Sequence, residues 1–553
     1  MRGWLERCQK EHKTCPKQDV EHELPTRLLD VGPSTSEPFL RASKGRWGTW
    51  AALSHCWGRR LRVKTTRSNL EAQYEGKGLT LNELPPTFRD AVRIARDLGI
   101  RYLWIDALCI IQDDKDDWER EAERMGSIYS NATVTIAAEA STDSTVGILR
   151  SMEQLRAPHS NIVHSLCHSE AEGLRGELYF CVDQRKYNRR TSRGCLSTRA
   201  WTMQEEILSP RILRFAEQQV IWKCSEAHWS EWDPAHSKPE FWDFTDKLHN
   251  SLTNFPKADS DYAMIPSNEQ KQQLLKFWYM NVVNYYIGRD LTYKTDRLIA
   301  IKGVAEEIRS RMVAIDYEAG IWYEERNEHN EDIHKGLAWS VPVGNVRTNE
   351  EQYIAPSWSW AQVNVSSAPE FGQYNFVYTP MLLESLKPLT DTIEIASYIV
   401  NPSTTSSVTT VESHERLLLK AQGRCLEVCS HIVPSPFLDE RSSEPERDYY
   451  YEFDRISEKH NSNIELIGLQ ALVDRRCSMI GKQKGHQRYL YLQLGRWNPG
   501  AWLDRHTPVI IALILEEVGT KLEPLYKRVG RALITVNVGE ELEPWPTESV
   551  SII

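Results

Sequence analysis

The stretch from Tyr102 to Ala138, YLWIDALCIIQDDKDDWEREAERMGSIYSNATVTIAA, constrains the fold more than any other part of the chain. Tyr102, Leu103, Trp104 and Ile105 show no polar alternation, as expected of a strand buried on both faces of a parallel sheet. Trp118, Ala122, Met125 and Tyr129 recur at helical spacing, so a helix packs back onto that sheet. Asp113, Asp114, Asp116 and Asp117 stand at its start, where carboxylates cap exposed amides. The run from Thr133 to Ala138 then supplies a second strand and completes a βαβ unit. Parallel sheets gather ligands outside the carboxyl ends of their strands. Asp106, which ends the first apolar run, and the loop after it therefore lie at the functional end.

Further strand-like runs at Trp50 to Ser54, Leu178 to Val182 and Ile212 to Phe215 alternate with helical patterns, the signature of an α/β domain over residues 48–216. One helix is introduced by Pro85 and Pro86, carries Phe88, Ala91, Val92, Ala95 and Leu98 on one face, and stops at Gly99. Residues 1–47 read as a polar lead-in. Residues 217–365 read as a helical, Trp-rich extension, with Leu274, Phe277, Trp278 and Val282 on one face. Within it Ser and Trp alternate from Ser357 to Trp360. If that segment is extended, Trp358 and Trp360 share a side and dock the extension. Residues 366–553 read as β-rich, with strands at Tyr489 to Leu494 and Val509 to Leu515 and exposed loops at Ser403 to Thr410 and Asp439 to Asp454.

The chain has 553 residues, 41% of them hydrophobic, which is material for several cores. A formal charge of −10 without a long basic stripe excludes a dedicated nucleic-acid binder. No apolar run approaches the roughly 18 residues needed to span a membrane. The first residues, MRGWLERCQKEHK, lack the apolar core of a signal peptide, so the expected location is cytoplasmic. The eleven cysteines are scattered and read as reduced thiols.

Four blocks, ALSHCWG (Ala52 to Gly58), LWIDALCIIQDD (Leu103 to Asp114), NATVTIAA and RAWTMQEEILSPRILRF (Arg199 to Phe215), resemble the ordered signature of the fungal heterokaryon-incompatibility (HET) domain. LTYKTDRLIAIKGVA (Leu291 to Ala305), GLAWS (Gly336 to Ser340) and APSWSWA (Ala355 to Ala361) resemble that family's usual extension. Glu206 departs from the pattern, since many relatives carry a basic residue there. The resemblance implies a TIR-like, flavodoxin-like parallel sheet followed by helical and β-rich regions, and a role in non-self recognition and programmed cell death. It also matches Trp201 and Glu205 to the TIR tryptophan and the glutamate that serves cleavage of the nicotinamide–ribose bond of NAD. A carboxylate suits that chemistry because breaking a glycosidic bond builds positive charge on the sugar.

The candidate catalytic residues are thus Glu205 and Asp106, with Ser54, His55 and Trp201 as candidate nucleotide contacts. Each has a plainer role available. Trp201 and Glu205 could be a core aromatic and a satisfied helix acid, and Asp106 could cap a turn. Arg199 and Arg211 flank the glutamate helix, where ordinary salt bridges compete with contacts to a diphosphate. Ser54, His55 and Cys56 are consecutive on a strand, so they point to alternate faces and form no triad. Leu103 to Asp106 resembles the strand and acid of a phosphate-loop NTPase, but the chain has no GxxxxGK[ST]. Cys8, His12, Cys15 and His22 have zinc-binding atoms, yet their spacing matches no standard finger, and no metal is expected.

Two function classes stay open. In one the domain is an enzyme with NAD as substrate and no required cofactor. In the other it is a non-catalytic signalling module acting through self-association or another incompatibility protein. Some family members neighbour metabolic gene clusters and have no assigned role, which is a third alternative.

Overall fold

The computed structural model describes residues 1–17, 20–58, 63–74, 79–149, 162–169, 174–181, 194–217, 219–231, 249, 252, 267–312, 315–324, 331–339, 346–347, 353–364, 387–388, 392–400, 414–430, 469–473, 487–497, 509–518, 525–535 and 547–553. The chain divides into two compact units, residues 1–256 with 299–307 and residues 257–298 with 308–553. The loops expected at Ser403 to Thr410 and Asp439 to Asp454 lie outside the described residues.

The first unit is built on one mixed eight-stranded sheet. Its strands are β1 (Arg27–Asp30), β2 (Phe39–Ala42), β3 (Trp50–Ser54), β4 (Tyr102–Trp104), β5 (Val134–Ala137), β6 (Arg211–Phe215), β7 (Val220–Cys224) and β8 (His228–Ser230). They lie side by side in the order β8-β7-β6-β5-β3-β4-β1-β2. The four central strands β6, β5, β3 and β4 are mutually parallel. Both flanks are antiparallel: β1 pairs with β4, and β6 with β7. The sheet is therefore parallel only at its centre. Segments expected as lead-in and as extension supply its outer strands.

Among the parallel strands the chain starts at β3, steps out to β4, returns past β3 to β5 and continues to β6. This is the flavodoxin-like order, with its switch point between β3 and β5. Both β3 and β5 are buried along their whole length, as continuous apolar runs demand.

The helices follow the sequence closely. Helix α1 (Arg2–Glu11) lies in the lead-in, and α2 (Pro86–Leu98) starts with Pro86 and ends on Gly99 in the left-handed conformation (φ 78°). Phe88, Ala91, Val92, Ala95 and Leu98 are all buried. Asp106 does not simply end a strand: it opens one helical turn, α3 (Asp106–Cys109). Helix α4 (Lys115–Ser130) is capped by Asp114, whose side chain accepts from the amide of Asp117. Asp117 itself turns inward to pair with buried Arg27 and accepts from the Ile111 amide at 2.9 Å. Helix α5 (Thr202–Leu208) leads into β6, and α6 (Ile299–Arg309) crosses α4 where Gly126 meets Gly303. A Cβ on Gly126 would stand 2.7 Å from the Gly303 backbone, so the crossing requires glycine. Of the run expected at Leu178 to Val182, Leu178 to Cys181 belong to a separate hairpin, Ile162–Ser169 with Leu174–Cys181, and Val182 lies outside the described residues.

In the second unit, Asn268–Lys276 begins with a capping box between Ser267 and Gln270 and continues as a π-helical stretch, Phe277–Val283. Leu274, Phe277, Trp278 and Val282 are buried as their spacing implies. Trp358 and Trp360 are fully buried, but the segment is not extended, because Trp360 starts a 3-10 turn. Trp339 donates to the Trp358 carbonyl (2.8 Å) and Trp360 to that of Gly320 (2.9 Å). The β-rich region closes on itself. Gln487–Trp497, Val509–Glu517, Leu525–Thr535, Thr547–Ile552 and His414–Ser430 pair in succession, and His414–Ser430 pairs back onto Gln487–Trp497. Among the described residues no helix is long and apolar enough to cross a membrane.

Candidate functional site

Ser54 ends β3, and His55 follows it beside the switch point. Asp106 stands at the corresponding end of β4, and Glu205 reaches the same place from α5. These four residues converge, although they lie far apart in the chain. His55 Nδ1 is 3.7 Å from Asp106 Oδ1. Asp106 accepts from Trp57 Nε1 and from the amide of Ala107, both at 2.7 Å. The Asp106 side chain is 24% exposed, so the cluster reaches the surface there.

Glu205 is 6% exposed. Burial pushes its carboxyl up to about 8; the Ser54 hydroxyl draws it down, Asp106 adds to the rise, and Arg199 and the Tyr129 hydroxyl oppose it. At neutral pH the acid is mostly protonated. Tyr129 lies on α4 and donates to the Leu53 carbonyl (3.1 Å), which fixes its hydroxyl at the strand end. Burial pushes the His55 imidazole down to about 4, and Arg199 adds to that against the pull of Asp106, so this ring is neutral near pH 7. Phe88 stands edge-on to it at 4.9 Å. Both ring nitrogens of His55 and Oε2 of Glu205 are buried with no hydrogen-bond partner among the described residues. Orphaned polar atoms gathered at one point are what a ligand's hydroxyls or amides satisfy.

Arg199 donates to the His55 carbonyl (2.9 Å), which brings its guanidinium within electrostatic reach of His55 and Glu205. Sequence reasoning left open whether Arg199 or Arg211 belongs here. The structure puts Arg199 at the site and Arg211 at the opposite end of the sheet, where it donates to the Thr133 carbonyl (3.1 Å). Trp201 is half-buried and meets Trp118 of α4 edge-on at 6.2 Å, the packing of a core aromatic. Glu206 is buried beside Arg214 (3.7 Å), which also approaches Glu139 (4.0 Å). Its extra negative charge thus faces a guanidinium that it shares with Glu139.

Cys195 was not singled out by the sequence, and Cys56 was weighed there only as a member of a triad that strand geometry rules out. Their sulfurs lie 2.9 Å apart, and the Cys195 thiol together with Arg199 brings Cys56 down to about 7. Trp57, Tyr129 and Cys195 carried no local signal for the site, because each acquires its place there only through the tertiary fold.

No curated protein and no solved structure matches the chain. The family model described as heterokaryon incompatibility protein (HET) matches residues 50–205, a span that opens on the central strand β3 and closes on Glu205.

Proposed function

We propose that the α/β unit is the effector domain of an incompatibility protein of non-self recognition and programmed cell death, with a TIR-like site that cleaves NAD. The observation that carries this reading is the convergence of Glu205, Asp106, Ser54 and His55 at the sheet's switch point. In the reaction the bond from ribose C1′ to nicotinamide N1 breaks, and its electron pair leaves with neutral nicotinamide. The positive charge left on the sugar is quenched by water, which gives ADP-ribose and a proton. Nicotinamide in NAD is cationic, so its arrival favours the ionised form of Glu205. That carboxylate then stabilises the developing sugar cation. Asp106 receives the proton from the attacking water, His55 offers neutral nitrogens to the ribose hydroxyls, and Arg199 supplies positive charge for the diphosphate.

A second reading, a non-catalytic module acting by self-association, is favoured by the depth of Glu205 and its neighbour Arg199. The two are separated by expressing wild type and Glu205→Gln at equal levels in cells and following NAD and viability. NAD loss and death in wild type, both absent in the variant, support cleavage. Death without NAD loss, or equal killing by the variant, favours the module.

A further inference from the structure

Cys8, His12, Cys15 and Cys224 are all buried, and their ligating atoms lie within 4.8 Å of one another. Cys8 lies on α1, with His12 one turn further at its C-terminal cap, so the two share a face. Cys15 sits in the turn that follows. Cys224 ends β7, 212 residues beyond His12. His12 Nδ1 is 3.5 Å from Cys15 Sγ and 3.3 Å from Cys224 Sγ. Bonds of ~2.3 Å to sulfur and ~2.0 Å to nitrogen around tetrahedral zinc set ligand atoms roughly 3.5–3.8 Å apart. His12 already stands at about that spacing from Cys15 and Cys224, and all four ligating atoms lie near enough to close on one ion.

From this geometry we infer that Cys8, His12, Cys15 and Cys224 form a structural zinc site of three thiolates and one imidazole. Three sulfurs and a nitrogen in a tetrahedral array select zinc over the hard, oxygen-preferring cations. Four protein ligands fill the coordination sphere, which marks a structural site and not a catalytic one. Three thiolates around a doubly charged ion leave one negative charge. Arg211, paired with Cys224 across β6 and β7, donates Nε–H to Cys8 Sγ at 3.2 Å and balances it. Such outer contacts orient and tune metal ligands. Trp229 lies 5.3 Å from the His12 ring, and Trp222 stacks on Trp229, so the shell is apolar. His22, weighed with the first three ligands on sequence grounds, instead meets Trp50 edge-on. The ion's role is to clip the N-terminal helix onto the β7–β8 edge of the sheet. Thr14 supports that clip by donating to Glu226 of the same hairpin (2.8 Å).

The test is the metal content of the purified full chain, expressed in zinc-supplemented medium and measured by elemental mass spectrometry. The expected result is about one zinc per chain, falling at least tenfold in Cys224→Ser and unchanged in His22→Ala. Because Cys224→Ser could fail to fold, cobalt(II) exchanged into wild type provides an independent arm. It should show the d–d and thiolate charge-transfer absorption of a tetrahedral sulfur site. Folded wild type without zinc after supplementation overturns the inference, as does cobalt absorption lacking thiolate bands or full zinc retention in Cys224→Ser.

Discussion

Replacing Glu205 by Gln keeps the side chain's shape and removes its ability to ionise, so its effect on stability should depend on pH. The acid titrates at about 8 in the folded chain against an ordinary 4.5. Between these values the native state holds a proton that the unfolded state releases. Stability from this group is therefore complete below pH 4.5 and is lost as pH rises toward 8. Each unit corresponds to about 1.4 kcal/mol. Glu205→Gln should match wild type near pH 4.5, exceed it by ~3 kcal/mol at pH 7, and level off at ~5 kcal/mol above pH 8. His55 acts in the opposite sense. Its pKa falls from 6.5 to about 4, so its contribution is lost as pH drops through that window. Both proteins share that term, and it cancels in the difference. Hydrogen exchange of β3 and β5 amides, compared between the two proteins at each pH, reads the quantity within this unit. A more stable but inactive variant is the mark of a functional acid held at a cost in stability. A difference independent of pH, or a variant less stable at pH 8, would mean that Glu205 is not held protonated in the folded chain.

Three further outcomes follow from the packing. Asp117→Asn should destabilise the first unit by about 1.5–3 kcal/mol, because buried Arg27 would lose the nearer of its two charged partners and keep only Glu121 at 3.9 Å; exchange rates in α4 check it. Trp358→Ala should cost about 3–5 kcal/mol by emptying a fully buried site, and thermal melting of the full chain measures the loss. Unchanged melting would mean the indole is not packed as described. Gly303→Val should drive α6 off α4, since a Cβ there meets Gln204 Oε1 and the Gly126 backbone at 2.7 Å; limited proteolysis of the folded chain should accelerate, and an unchanged pattern would contradict that crossing.

The central strands and helices were legible because burial on both faces writes itself as unbroken apolar runs and helical stripes. Trp50 to Ser54 and the face from Phe88 to Leu98 needed nothing else. The outer strands were not legible. Arg27–Asp30 and Val220–Cys224 mix charged and apolar residues, and their strand character depends on neighbours supplied by distant parts of the chain. The alternation at Trp358 and Trp360 suggested a strand, but Gly320 lets the indole of Trp360 close on its backbone, and a turn results. For the site, strand-end residues such as Ser54 and Asp106 followed from the general behaviour of parallel sheets. Arg199 and Tyr129 could not be placed beforehand, because their roles arise from contacts between separate elements. Cys224 shows the same limit: three ligating residues clustered near the N-terminus, and the fourth came from across the sheet.

Under the proposed function, Glu205 and its neighbours form a site that breaks the nicotinamide–ribose bond. This is tested most directly by incubating the purified full chain with NAD and quantifying nicotinamide and ADP-ribose by chromatography. Wild type should yield equal amounts of both products, with a rate lower by on the order of a hundredfold or more in Glu205→Gln and a reduced rate in Asp106→Asn. Intact NAD with wild type, or cleavage by Glu205→Gln at the wild-type rate, would contradict it.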